Sequence, residues 1–258
     1  MGKPLSSRVH TDNAPMIFLD MDGVLTVEIS SWNKVNMALG IDNMKNYESY
    51  KAGKINYDQF LRMDLENWVN SGKAVSAQKV KRVLDRIEIF PGAREGCKIL
   101  TEEGYIPVII SGGLRWLAER VAHELDIEHY FANLIMSQGD RILPSGVAIV
   151  DPKNKWKIVE HMKNQYKPKF TVSVGDSPDD MSMFTSTDYF ISFNNSTKFN
   201  MPNGYDIEGN NFMIIVQKAM EIKRKQDEGY SELFWLFRYT GGHTINFFIN
   251  GLILFHQS

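Results

Sequence analysis

The sequence predicts an α/β protein, a Rossmann-like doubly wound parallel β-sheet with a small helical bundle inserted into it. Apolar runs of strand length alternate with amphipathic helical segments, and one long stretch after the first run carries only helical signals. Strands that are apolar on both faces are typical of parallel sheets covered by helices. We therefore expect strands at residues 16–20, 105–111, 170–176 and 188–193.

The segments between these strands carry helix signals. The stretch "FPGAREGCKILTEEGY" has Pro91 near its start and Gly104 past its end, and "GLRWLAERVAHEL" repeats apolar residues at helical spacing. Cys97 lies in the first of these helices. As the single cysteine of the chain it excludes an internal disulfide, so we expect it to pack in the core of a protein from a reducing compartment, the cytoplasm.

Residues 29–85 are predicted to form the helical insertion. "SSWNKVNMALG" offers a serine cap and a terminal glycine, and the next segment places five apolar residues on one helix face: Tyr57, Phe60, Leu61, Leu65 and Trp68. The predicted α/β core then comprises residues 16–28 and 86–225. Residues 1–15 are expected to be a disordered leader.

Two further segments do not follow the alternation of strands and helices. Residues 132–150 predict an antiparallel hairpin that turns at Gln138-Gly139-Asp140. Residues 226–258 predict a hydrophobic C-terminal extension, either a hairpin around Gly241-Gly242 or a packing arm that could form a homodimer. Its apolar run is too short for a membrane span, which needs about 20 residues.

The overall charge excludes some partners. Lys and Arg number 29 against 31 Asp and Glu, a formal charge of −2. Because no strong field attracts nucleic acid or an anionic membrane surface, we expect neither as a partner. Function must be inferred from local sites.

Acidic residues lie at or just after the ends of the predicted strands. Asp20 ends the first predicted strand and Asp22 follows it, while Ser111 ends the second and Asp176 the third. Ligands of open parallel sheets bind beyond the carboxyl ends of the strands, so these side chains should lie close together. Such a cluster of hard oxygen ligands suits Mg²⁺, which also binds phosphate.

Other residues suit phosphate. Ser111 and the glycines after it are expected to open a helix, whose N-terminus favours anions. Lys155 lies near the start of another helix and could neutralise phosphoryl oxygens. Ser177-Pro178 predicts a helix start that places Asp179 and Asp180 in its first turn.

The strings "DMDGV", "ISGG", Lys155 and "VGDSPDD" resemble, in order and spacing, the four motifs of the haloacid dehalogenase-like (HAD) hydrolase superfamily. The helical insertion after the first motif resembles the cap domain of its phosphoserine phosphatase-like branch. The resemblance covers residues 16–220. It implies a Mg²⁺-dependent phosphomonoester hydrolase, that is a phosphatase, acting on a small phosphorylated metabolite. A phosphotransferase to an alcohol acceptor and a non-catalytic phosphate-binding protein remain alternatives.

The resemblance also implies a role for each motif residue. Asp20 would be the nucleophile that forms an aspartyl-phosphate, and Asp22 the general acid and base. Asp20, the carbonyl of Asp22 and Asp176 would bind the metal, with Asp180 behind them. Lys155, preferred over Lys153 and Lys157, would stabilise the transition state. Phosphate would be held by Lys155, Met21, Gly23, Ser111 and Gly112.

The predicted substrate-binding residues are Glu28, Asp64 and Asp179. Phosphoserine phosphatases hold the substrate ammonium with a cap glutamate, and Glu28 lies within one residue of that position. Their carboxylate-binding arginine aligns with Asp64, while Arg62 should face away on the helix. Asp64 is either paired within the cap or directed at the cleft. The hypothesis is that phosphoserine is not the best substrate.

Overall fold

The computed structural model describes residues 13–199, 201–239, 248–249 and 252–253. The described residues fall into two compact units that divide between Val216 and Gln217. Residues 1–12 of the predicted leader lie outside the described part of the chain. The division into leader, core, insertion and extension stays a prediction.

A seven-stranded sheet forms the centre of the first unit, in the order β4-β3-β2-β1-β5-β6-β7. Neighbouring strands are parallel except β3 and β4, which are antiparallel. The predicted fold class is confirmed, with a mixed, mostly parallel sheet. The strands are β1 (Met16–Leu19), β2 (Ile106–Leu114), β3 (His129–Gln138), β4 (Arg141–Val147), β5 (Thr171–Gly175), β6 (Tyr189–Phe193) and β7 (Gly204–Ile207).

Helices connect and cover these strands. Two single 3₁₀ turns, Pro152–Asn154 and Pro178–Asp180, precede the seventh and eighth helices. The helices are α1 (Ser31–Leu39), α2 (Met44–Lys51), α3 (Tyr57–Asn70), α4 (Ala77–Leu84), α5 (Ala93–Glu102), α6 (Arg115–Leu125), α7 (Trp156–Tyr166), α8 (Met181–Phe184) and α9 (Met213–Tyr239).

Strand β1 lies at the middle of the sheet between β2 and β5. All four of its side chains are fully buried. On one face Met16 and Phe18 pack in a cluster that includes Val159 and Met162 of α7. This burial fixes the register of β1, and with it the position of the residues that follow the strand.

Helices α1–α4 follow β1, as the sequence predicts. Helix α1 begins at the cap Ser30, whose hydroxyl accepts a hydrogen bond from the Asn33 amide at 3.2 Å. It ends at Gly40 in the left-handed region, with φ +62°. Helix α3 begins with a capping box formed by Asn56 and Gln59.

The remaining predictions for local structure have mixed outcomes. The hairpin of β3 and β4 is confirmed, with Gln138 opposite Arg141, and Cys97 is buried. Strand β7 was not predicted, because its four residues include a glycine and an exposed aspartate and form no apolar run.

The second unit contains most of α9, and residue 226 lies inside that helix. The predicted turn at Gly241-Gly242 lies outside the described residues. Beyond it, β8 (Phe248–Ile249) pairs antiparallel with β9 (Leu252–Ile253). Among the helices that the structure describes, none is both long and apolar enough to cross a bilayer.

Candidate active site

The ends of three neighbouring strands form the site. Register pairs Leu19 of β1 with Ile109 of β2 and with Val174 of β5, so the residues after these positions emerge at the same sheet edge. The amide of Asp20 continues the pairing by donating to the Val174 carbonyl at 3.0 Å. The predicted convergence of acidic side chains at this edge therefore has a direct structural basis.

Lys155 lies between two buried carboxylates. Its Nζ is 2.7 Å from Asp20 Oδ1 and 2.5 Å from Asp180 Oδ1, and the side chain is almost fully buried. Lys153 instead donates to the Tyr50 carbonyl at 3.3 Å, and Lys157 is exposed. Of the three candidate lysines, Lys155 is thus the one placed beside the predicted nucleophile.

Asp180 is held in place by hydrogen bonds from Ser177, which caps the 3₁₀ turn that contains it. Its Oδ2 accepts from the amide of Ser177 at 3.0 Å and from the Ser177 hydroxyl at 2.6 Å, while Oδ1 faces Lys155. A Cβ on Gly175 would lie 2.1 Å from the Asp180 Cβ. Glycine at this position therefore allows Asp180 to pack against the end of β5.

Three carboxylates are close enough to share a cation. Oxygen atoms of Asp20, Asp176 and Asp180 all lie within 4.8 Å of one another. Burial, and next the charge of Asp180, raise the pKa of Asp176 to about 7. Hard oxygen donors that repel one another in this way suit a divalent cation such as Mg²⁺. The residues present fit a metal site.

The pKa values of Asp20 and Lys155 reflect this environment. Burial raises the pKa of Asp20 well above its ordinary value, while the Lys155 ammonium opposes the change. Burial alone would lower the pKa of Lys155, but the carboxylates of Asp180 and Asp20 hold it above the ordinary range. Lys155 therefore stays charged, and its single positive charge faces several acids.

The turn after β1 brings backbone groups close to the carboxylates. The carbonyl of Met21 accepts hydrogen bonds from the amides of Leu25 at 2.9 Å and Thr26 at 3.0 Å, which folds the chain back. Gly23 has φ +77°, and a Cβ there would lie 2.0 Å from Asp176 Oδ2. The close approach that demands glycine here is thus to the side chain of Asp176.

One prediction about the second strand is wrong. Ser111, Gly112 and Gly113 do not open a helix, because β2 continues through them to Leu114 and α6 begins at Arg115. Pairing of Leu114 with Asn133, across a register shift, keeps this stretch in the sheet. The Ser111 hydroxyl is buried and accepts from the Gly113 amide at 3.0 Å. The backbone N–H groups of Ser111, Gly112 and Gly113 therefore lie at an irregular strand end and not at a helix N-terminus.

The carbonyl of Gly112 joins the insertion to the core. It accepts from Trp32 Nε1 at 3.1 Å, from the Tyr57 hydroxyl at 2.8 Å and from Asn133 Nδ2 at 2.8 Å. Asn133 Nδ2 also lies 2.9 Å from the Tyr57 hydroxyl. Sequence reasoning missed this junction, since Tyr57 fits an apolar helix face. The available sequence signal was Asn133, a polar residue inside a predicted hairpin strand.

Asp22 is bound by the first residue of the insertion's first helix. Its Oδ2 accepts from the Ser31 amide and from the Ser31 hydroxyl, both at 2.8 Å. Its Oδ1 is buried and has no hydrogen-bond partner among the described residues. Burial raises the pKa of Asp22 to about 6, and the Ser31 hydrogen bonds limit this rise. The sequence pattern indicates Ser31 only as part of a helix start.

The predicted substrate-binding residues are each engaged elsewhere. Glu28 pairs with Lys34 at 2.7 Å, and Asp179 with Lys51 at 3.2 Å. Asp64 is buried and accepts from Asn46 Nδ2 at 2.9 Å, so it is paired within the insertion. The structure does not bring these three acids into one cluster.

Arg62 faces solvent, as the helical spacing predicts. It lies 3.8 Å from Glu66 on the outer face of α3. This arginine therefore lies on a different face of α3 from Asp64.

Comparison with known proteins is consistent with this geometry. Residues 15–186 match the family described as haloacid dehalogenase-like hydrolase. The phosphoserine phosphatase of Archaeoglobus fulgidus is 28% identical over 183 residues, which are 69% of this chain and 52% of that protein. The phosphoserine phosphatase of Methanocaldococcus jannaschii is 27% identical over 69% of this chain and 84% of its own length. The chain thus spans about half the length of the Archaeoglobus relative.

Solved structures show the same fold. A substrate-bound phosphoserine phosphatase complex superposes with a TM-score of 0.65 at 22% identity, covering 81% of this chain and 99% of that one. A phospho-aspartyl intermediate analogue of phosphoserine phosphatase gives 0.61 at 23% identity, over 72% and 88% of the two chains. These structures share the α/β fold of this chain. The chain belongs to the haloacid dehalogenase-like hydrolase family, in its phosphoserine phosphatase-like branch.

Proposed function

We propose that this protein is a Mg²⁺-dependent phosphatase that hydrolyses the phosphomonoester of a small metabolite. The observation that carries the proposal is the position of Asp20. It is buried at the end of the central strand, with Lys155 at 2.7 Å and with Asp176 and Asp180 close enough to share a cation. This arrangement suits a carboxylate nucleophile that acts on a charged phosphoryl group.

The reaction would proceed in two steps at Asp20. A carboxylate oxygen of Asp20 attacks phosphorus, the ester P–O bond breaks, and Asp22 gives a proton to the leaving alcohol. Asp22 then takes a proton from a water molecule, which attacks phosphorus and breaks the bond to Asp20. Inorganic phosphate leaves, and both carboxyl groups return to their starting states.

The other residues would bind and orient the phosphoryl group. The Met21 amide, the Ser111 hydroxyl and the Gly112 amide would donate to its oxygens. The Gly23 amide, also predicted to bind phosphate, instead donates to the Glu28 carbonyl at 2.8 Å. Lys155 would balance the charge that develops there in the transition state.

The metal would be held by protein oxygens at the same strand ends. Asp20, Asp176 and the Asp22 carbonyl are the proposed ligands, and Asp180 would support them or bind directly. When bound, Mg²⁺ supplies positive charge that polarises the phosphoryl group.

We propose that phosphoserine is not the preferred substrate. The position of the carboxylate-binding arginine of phosphoserine phosphatases is taken by Asp64, which is buried and bonded to Asn46. Glu28, near the ammonium-binding position, pairs with Lys34. Neither residue offers a cation for a substrate carboxylate. A panel of phosphoserine and sugar, polyol and amine phosphates tests this, and a kcat/KM for phosphoserine far above the others would contradict it.

The activity itself is tested by phosphate release with and without Mg²⁺. Asp20→Asn should abolish release, whereas Asp58→Asn, an exposed acid of α3, should leave it unchanged. Release by Asp20→Asn at the wild-type rate would show that the nucleophile is wrongly assigned. Added alcohols that become phosphorylated in place of water would identify a phosphotransferase. The cytoplasmic location and the homodimer remain predictions.

A further inference from the structure

We infer that Ser31, the first residue of α1 in the helical insertion, is a positioning residue that orients Asp22 for proton transfer to the leaving group. This inference rests on the proposed phosphatase mechanism. It concerns a residue outside the four sequence motifs. It also assigns the insertion a part in the chemistry, in addition to covering the site.

Both donors of Ser31 bind the same carboxylate oxygen. The amide and the hydroxyl each lie 2.8 Å from Asp22 Oδ2. Two hydrogen bonds to one oxygen restrain the rotation of the carboxyl group about its terminal bond. The other oxygen, Oδ1, is buried and unpaired among the residues that the structure describes. Oδ1 is therefore the atom available to exchange a proton with the leaving group.

The direction of the Ser31 proton is set by a third group. The amide of Leu114 donates to Ser31 Oγ at 3.3 Å, which uses an acceptor site of the hydroxyl. The hydroxyl proton is then directed to Asp22. Ser30 serves as the helix cap of α1, so the Ser31 hydroxyl is not needed for that purpose.

Gly113 makes room for this contact. A Cβ at Gly113 would lie 2.5 Å from Ser31 Oγ and 2.9 Å from Asp22 Oδ2. Real Cβ atoms do not approach polar atoms so closely, so any larger residue would displace the pair. The second glycine of "ISGG" thus allows the Ser31–Asp22 contact to form at the end of β2.

The experiment measures how kcat/KM depends on the leaving group. Activated nitrophenyl phosphates need little proton transfer, whereas phenyl and alkyl phosphates need a general acid. Ser31→Ala should lower kcat/KM about tenfold for phenyl and alkyl phosphates and less than about threefold for nitrophenyl phosphates. The matched control is Ser30→Ala, which removes a neighbouring hydroxyl that does not touch Asp22, and it should show no such difference.

A double-mutant cycle distinguishes positioning from a separate structural role. If Ser31 acts through Asp22, Ser31→Ala should cause no further loss in an Asp22→Asn background. If Ser31→Ala does not fold, Gly113→Ala provides the second test and should show the same leaving-group selectivity. Equal losses for all leaving groups, or full additivity with Asp22→Asn, would overturn the inference. A wild-type protein that releases no phosphate would instead overturn the proposed function.

Discussion

A buried acid of the core and a buried acid of the insertion are stabilised in different ways. Asp20 lies 2.7 Å from the ammonium of Lys155, so charge is balanced by charge. Asp64 accepts from the neutral amide of Asn46 at 2.9 Å, and burial raises its pKa to about 6. The core is thus built to keep charges in place for chemistry. In the insertion, Asp64 is held by a neutral hydrogen-bond donor instead of an opposite charge.

The largest effect is expected when the balance of charge in the core is removed. Lys155→Met leaves Asp20 and Asp180 facing each other, so we expect kcat/KM to fall by about 10²-fold or more and stability to fall by roughly 3 kcal/mol. Mg²⁺ should restore part of the stability, because it can replace the lost positive charge. Steady-state kinetics and thermal unfolding measure both effects. Lys157→Met, at an exposed lysine of α7, is the control. If Lys155→Met were as active as Lys157→Met, the charge of Lys155 would not be needed for activity.

The second prediction concerns the pH dependence of stability in the insertion. The pKa of Asp64 rises from 3.8 in the unfolded chain to about 6 on folding. The folded state therefore binds the proton more tightly, and the contribution of Asp64 to stability declines between about pH 4 and pH 6. Asp64→Asn does not titrate. Its stability relative to wild type should rise over this range by up to about 3 kcal/mol and then level off.

Urea unfolding at a series of pH values measures this difference. Groups that titrate equally in both proteins cancel in the comparison. Asp58→Asn, on the exposed face of the same helix, should show a flat difference. A flat difference for Asp64→Asn as well would mean that the pKa of Asp64 is not raised by folding.

A neutral contact between insertion and core should matter less. Tyr57→Phe removes the hydroxyl that donates to the Gly112 carbonyl at 2.8 Å and accepts from Asn133. We expect a loss of about 1 kcal/mol in stability. We also expect a fall in kcat/KM of about tenfold, because Gly112 belongs to the proposed phosphate site. Tyr47→Phe, at an exposed tyrosine of α2, serves as control, and equal behaviour of the two variants would mean that the junction does not affect catalysis.

The smallest effect is expected at the charged contact between insertion and core. Lys51 and Asp179 lie 3.2 Å apart but are 41% and 28% exposed. Salt and water screen such a pair, so Lys51→Met should change kcat/KM less than about threefold. Any change should vanish at high ionic strength. Lys54→Met is the matched control, and a large effect that persists in salt would show that this pair orders the cleft.

Much of the site could be predicted because strand ends are set by burial. The apolar run of β1 places Asp20 and Asp22 at the sheet edge, and the run of β5 places Asp176 there. The partners of these residues were harder to predict. In the sequence, Ser31 is recognisable only as part of a helix start, and Asn133 only as a residue within a strand. The contacts of Ser31 with Asp22 and of Asn133 with Tyr57 depend on how the insertion packs on the core, which no local pattern specifies.

The position of β1 also has a consequence for the order of folding. Residues 16–19 pair with residues 106–109 on one side and with residues 171–174 on the other. Contacts so distant in the chain form slowly, because long loops must close first. The catalytic groups cannot assemble until β5 has joined the sheet. In refolding experiments, recovery of enzymatic activity should therefore follow recovery of helical content, and nascent chains that end before β5 should be inactive.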